Sequence, residues 1–122
     1  TPTPQAEVVT LITADKAHEL YTEAPAQFID ARSQKAFRQG HLPLAVNLPL
    51  SSFSQGFPAV LDDLIPEVTT MVYCEGGECE SSRLVARQLV MAGFESVMVI
   101  EDGYPGWIAG DYPIDAEDGE EP

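Results

Sequence analysis

The chain has 122 residues, 44% hydrophobic and 8% aromatic, enough for one domain that buries its own core without disulfide staples. No apolar run approaches the roughly 18 residues needed to span a bilayer. Its formal charge of −14, from 20 acids against 6 Lys and Arg, repels phosphate backbones and anionic lipid alike, which excludes nucleic acid and membrane surface as partners of this segment.

The chain opens Thr-Pro-Thr-Pro without an initiating methionine, so an upstream segment, an export signal or a membrane anchor among the options, is expected to have been removed. Residues 1–7 read as a flexible linker. Val8 to Ile12 is β-branched and apolar, and Thr13 is placed to cap a helix with Ala17, Leu20, Tyr21 and Ala24 at helical spacing. Pro25 closes that helix. Phe28-Ile29-Asp30-Ala31 is a second strand, after which Ser33 can cap a helical turn ending at Gly40.

Leu44 to Leu48 is a third strand between Pro43 and Pro49, followed by short helical pieces at 51–53 and 57–65 broken by Gly56, Pro58 and Pro66. Val68 to Tyr73 is a fourth strand running straight into Cys74. From Ser82, Val85, Leu89 and Ala92 line one face of a helix that ends at Gly93, and Ser96 to Ile100 is the fifth strand. Residues 115–122 hold five acids and nothing apolar larger than alanine, a composition that reads as a disordered tail.

Strands that alternate with helices and are continuously apolar indicate a parallel sheet covered on both faces, an α/β sandwich of three layers. Such sheets bind ligands beyond the carboxyl ends of their strands, where Cys74 lies. Its loop reads Cys74-Glu75-Gly76-Gly77-Glu78-Cys79-Glu80. A strand-to-helix loop can turn backbone N–H groups inward, and the next helix adds its positive end, making an anion cradle that favours a thiolate or persulfide.

The residues resemble those of a rhodanese-like domain, a single-module sulfurtransferase fold. The resemblance runs from Val8 to Ile114. It is carried by Asp30-Ala31-Arg32, by Gly40-His41-Leu42-Pro43-Leu44-Ala45-Val46-Asn47-Leu48-Pro49, and by Val72-Tyr73-Cys74 with Ser82, Ala86, Leu89 and Gly93-Phe94. Glu101-Asp102-Gly103 with Trp107 completes it. It implies a five-stranded parallel sheet with helices on both faces. It also implies that Cys74 accepts a sulfane sulfur as a persulfide, with residues 75–80 as the substrate-binding loop. The implied partners are a sulfane-sulfur donor and a thiol acceptor, proteins among them, and no cofactor.

Two departures from the family pattern carry expectations. Cys74 and Ser82 are eight positions apart, where the family pattern has about six. The C-x4-C-x2-S spacing resembles a subset found in exported or membrane-tethered bacterial proteins, which points to an extracytoplasmic location. In addition, Glu75, Glu78 and Glu80 surround the cradle and would repel thiosulfate at roughly 1 kcal/mol per exposed charge a few ångströms away. Weak thiosulfate activity is expected, with a persulfide, a protein or a cation-bearing molecule as donor.

Other features have more than one reading. Cys79 could resolve a Cys74 persulfide or sulfenate, pair with Cys74 in a disulfide, or be a spectator. A dithiol/disulfide module using both cysteines, or a non-catalytic binding module of the same fold, is therefore an alternative to the sulfurtransferase. Asp30, Arg32 and His41 read as structural support, His18 as solvated, and Trp107 with Tyr104 as core. Two cysteines without nearby histidines do not make a zinc site, so no metal is expected. A phosphatase needs Arg at the position held by Glu80.

Overall fold

The computed structural model describes residues 9–54, 56, 59–75 and 80–115. Five strands form one sheet: β1 (Thr10–Ile12), β2 (Ala26–Asp30), β3 (Val46–Asn47), β4 (Thr69–Tyr73) and β5 (Val97–Ile100). Their order is β1-β5-β4-β2-β3 and every pairing is parallel. The helices are α1 (Ala14–Glu23), α2 (Gln34–Gln39), α3 (Ser81–Met91) and α4 (Gly103–Ala109), with short 3-10 helices at Leu50–Phe53 and Ala59–Asp63.

Local signals set most of these elements. Thr13 and Ser33 cap α1 and α2 by accepting the backbone N–H groups of Lys16 and Ala36, each at 3.2 Å. After α3, Gly93 takes φ +104°, the left-handed conformation that stops a helix cheaply only at glycine. α4 has no comparable sequence signal, since Gly-Tyr-Pro-Gly-Trp-Ile-Ala is a poor helix former. It is held by packing. Trp107 is fully buried, its ring meets Phe28 at 5.3 Å and Tyr112 at 5.1 Å, and its indole N–H donates to the Pro113 carbonyl at 2.7 Å.

The sheet separates two apolar layers. Ile29, Val72, Cys74, Val97 and Val99 face α3 with Val85, Ala86 and Leu89, while Phe28, Met71, Tyr73 and Ile100 face α1 and α4 with Ala14, Ala17 and Trp107. Period-2 alternation along β4 thus sends Tyr73 and Cys74 to opposite faces.

Three sequence expectations change in detail. The third strand is only Val46–Asn47, because Leu44 has φ +58° and cannot extend it. His18 is not freely solvated: it stacks on Tyr112 at 4.0 Å and meets the Trp107 edge at 5.5 Å. Asp115, assigned by composition to the acidic tail, exchanges two backbone hydrogen bonds of 2.8 Å with His41. Residues 1–8 and 116–122, which hold the expected linker and most of that tail, lie outside the described residues.

Replacing Trp107 by Ala removes the largest fully buried side chain and is expected to cost about 3–5 kcal/mol. Urea unfolding followed by circular dichroism should show the midpoint fall accordingly.

Candidate functional site

β2 and β4 run in register, with Asp30 beside Tyr73 and Asn47 of β3 on the other side of Asp30. Asp30 is fully buried. Its carboxylate accepts hydrogen bonds from the Tyr73 phenol at 2.6 Å, the Arg32 backbone N–H at 2.8 Å, Arg32 Nε at 3.1 Å and Arg32 Nη2 at 2.8 Å. Arg32 Nη2 also donates to the Gly40 carbonyl. Asn47 Nδ2 donates to the carbonyls of Asp30 and Arg32 at 3.1 Å each, which fixes the turn between them.

The charges follow from these contacts. Burial, then the negative charge of Asp30, pushes the Tyr73 phenol far above the ordinary tyrosine range, so its hydroxyl stays protonated and donates. It accepts in turn from the Leu42 N–H at 3.1 Å. Burial opposes the charge on Arg32, but hydrogen bonding and attraction to Asp30 outweigh it and raise the guanidinium above its usual value.

Cys74 follows β4 directly and is almost wholly buried. Its sulfur is disulfide-bonded. Ser82 Oγ, in the first turn of α3, lies 3.4 Å from Sγ, and its hydroxyl is the donor because a disulfide sulfur carries no proton. The Cys74 carbonyl accepts the Tyr104 N–H at 2.8 Å, which ties the end of β4 to the start of α4. The Tyr104 ring then lies 4.0 Å from Arg32 Cζ, a cation–π contact. Gly40 makes room for it: a Cβ there would collide with the Tyr104 hydroxyl. Glu75 Oε2 sits 3.7 Å from Arg32 Nη1.

The structure therefore brings Glu75, Arg32 and Asp30 together, while the Cys74 sulfur turns to the other face of the sheet, beside Ser82. Glu80 is exposed and precedes α3 without a side-chain cap bond, and Gly76, Gly77, Glu78 and Cys79 lie outside the described residues. His41 stands in its turn with Nδ1–H donating to the Phe37 carbonyl at 2.7 Å and its ring stacked on Phe37 at 3.9 Å. Arg83 is on the exposed side of α3, where it lines a hollow of about 170 Å³ with Arg87, Val9 and Leu11. A larger cavity, about 410 Å³, lies at the opposite pole near the starts of β1 and β5, lined by Thr10, Phe94 and Val97 among others.

Sequence reasoning gave no site role to Tyr73 or Tyr104. A tyrosine placed at a core-facing strand position beside a buried aspartate was the available signal for Tyr73, since a buried phenol needs a partner. Nothing local pointed to Tyr104, whose position depends on how β4 and α4 dock.

The family model of the rhodanese-like domain matches residues 13–110. The chain belongs to the rhodanese-like domain family. Thiosulfate sulfurtransferase 18 of Arabidopsis thaliana is 30% identical to this rhodanese-like domain over 128 residues, covering 97% of this chain and 91% of that protein. Thiosulfate sulfurtransferase GlpE of Glaesserella parasuis is 30% identical over 109 residues, covering 89% and 95%. Among solved structures, a rhodanese-like domain protein from Staphylococcus aureus superposes with a TM-score of 0.69 at 23% identity, covering 88% of this chain and 98% of that one. The five-stranded parallel sheet is the shared fold.

Tyr73→Phe strips Asp30 and the Leu42 N–H of a buried partner, at an expected cost of about 1–3 kcal/mol. Because the folded state raises the Tyr73 pKa, the stability it contributes is complete below pH 10 and is lost as pH rises further. Denaturant unfolding across that range should show a shallower alkaline decline in the variant than in the wild type.

Proposed function

We propose that this rhodanese-like domain is a sulfurtransferase whose nucleophile is Cys74. The reduced Cys74 thiolate attacks the sulfane sulfur of a donor. A sulfur–sulfur bond to Cys74 forms, the donor's own sulfur–sulfur bond breaks, and the rest of the donor leaves with the electron pair. A thiolate acceptor then attacks the outer sulfur of the Cys74 persulfide, and the Cys74 thiolate departs. The scheme draws on no cofactor.

The observation that carries this reading is the position of the sulfur, at the carboxyl end of a central parallel strand with the first turn of α3 against it. Helix N-termini favour anionic sulfur. Relatives named thiosulfate sulfurtransferases, similar along most of this chain, support it. Since Cys74 is disulfide-bonded, turnover begins with a two-electron reduction, in which an external dithiol is oxidised to its disulfide and Cys74 is freed. Glu75 beside Arg32 favours donors other than thiosulfate, a persulfide or a cation-bearing molecule among them.

The same disulfide favours a second reading, a dithiol/disulfide exchange module in which Cys74 cycles with Cys79 and passes two electrons to a partner. A reduction potential in the range of known exchangers fits that reading, and one below about −300 mV fits an inert bridge instead.

Protein reduced with a dithiol and incubated with a persulfide or thiosulfate should gain one sulfur atom by intact mass spectrometry, and Cys74→Ser should not. If no donor adds sulfur to the reduced wild type, the transferase reading is wrong.

A further inference from the structure

We infer that Glu75 is a specificity-determining residue: it masks a latent anion subsite on Arg32 and so turns the site from oxyanion donors towards persulfides. The inference rests on the sulfur-transfer reading above.

A guanidinium has five N–H donors in a rigid fork. On Arg32, Nε and Nη2 are directed at Asp30, and Nη2 also reaches the Gly40 carbonyl. Tyr104 covers one face. That leaves Nη1, which makes no hydrogen bond among the described residues. Its nearby acid is Glu75, at 3.7 Å, an ion-pair distance beyond that of a good hydrogen bond.

Glu75 has no packing reason to be there. Its side chain is 61% exposed against 5% for that of Arg32, and it makes no close hydrogen bond to the guanidinium. Asp30 already neutralises Arg32, so Glu75 supplies an excess negative charge at the residue next to the nucleophile. A thiosulfate dianion meets that charge, and the two remaining donors that would hold its oxygens face a carboxylate instead. A persulfide with a neutral or cationic body loses nothing. Without the carboxylate, Nη1 keeps two charged N–H donors beside the residue that follows Cys74, suited to the oxygens of thiosulfate or a thiosulfonate.

The test compares wild type, Glu75→Gln and Glu80→Gln, each reduced with a dithiol and checked for an unchanged melting transition. The donors are thiosulfate and the persulfide of cysteamine. The loading step with thiosulfate forms the Cys74 persulfide and releases sulfite with the electron pair of the broken bond. The persulfide donor releases cysteamine thiolate in the same way. Glu75→Gln is expected to raise kcat/KM for thiosulfate about five-fold or more, and to leave that for cysteamine persulfide within about two-fold.

Glu80→Gln removes the same charge from the loop without uncovering Arg32, so its gain with thiosulfate should be clearly smaller. Equal gains in the two variants would reduce the effect to bulk loop charge and overturn the subsite. No gain in Glu75→Gln, while the persulfide still loads, would overturn it as well. Failure of both donors to load the wild type would instead bring down the transfer reading on which the inference stands.

Discussion

The site depends on one buried carboxylate. Asp30 has no contact with water, and a charge in that position is tolerated only if its oxygens are fully engaged. Two side chains and a main-chain N–H engage them: the Tyr73 phenol, the Arg32 guanidinium and the Arg32 amide. Each partner is tied to something else in turn, Tyr73 to the Leu42 N–H and Arg32 to the Gly40 carbonyl and the Tyr104 ring. Asp30 thereby fixes β2, β4, the 40–42 turn and α4 relative to one another. Removing one partner of such a buried pair typically costs about 3–5 kcal/mol, most of it the penalty for the charge left behind.

The nucleophile is positioned by the same arrangement. Tyr73 and Cys74 are consecutive, and the pleat sends one towards Asp30 and the other towards Ser82. A slip of one residue in the pairing of β4 would exchange them, burying a thiol against a carboxylate and a phenol against α3. The hydrogen bond from Tyr73 to Asp30 therefore also sets which side of the sheet the sulfur occupies. On that side Cys74 packs with Val72, Ala86 and Leu89, and its backbone carbonyl accepts the Tyr104 N–H.

Much of this was legible in the sequence because the signals were local. Thr13, Ser33 and Gly93 mark helix ends by their own chemistry, and the runs at 28–31 and 68–73 carry apolar side chains on both faces, which implies a parallel sheet covered on both sides. Asp30-Ala31-Arg32 was readable as an ion pair, being only two residues apart. What was not legible depends on contacts distant in sequence. α4 has two glycines and a proline in seven residues and exists because Trp107 is buried against Phe28. His18 reads as a solvated helix residue until Tyr112 folds back over it. The hydrogen bond that the Ala14 N–H donates to Asp102 Oδ1, which ties the loop after β5 to the start of α1, spans 88 positions and leaves no local trace.

Gly40 bears on this in a way its place in a turn does not suggest. Its backbone is extended, so the lack of a side chain is not needed for any unusual conformation. It is needed for clearance, since a methyl group there would strike the Tyr104 hydroxyl. Even an alanine would push the hydroxyl end of the ring from its place against the guanidinium, in the residue whose N–H also holds the Cys74 carbonyl. An empty space of one carbon atom, 34 positions upstream of the sulfur, is thus a spacer that sets how the Tyr104 ring lies against Arg32.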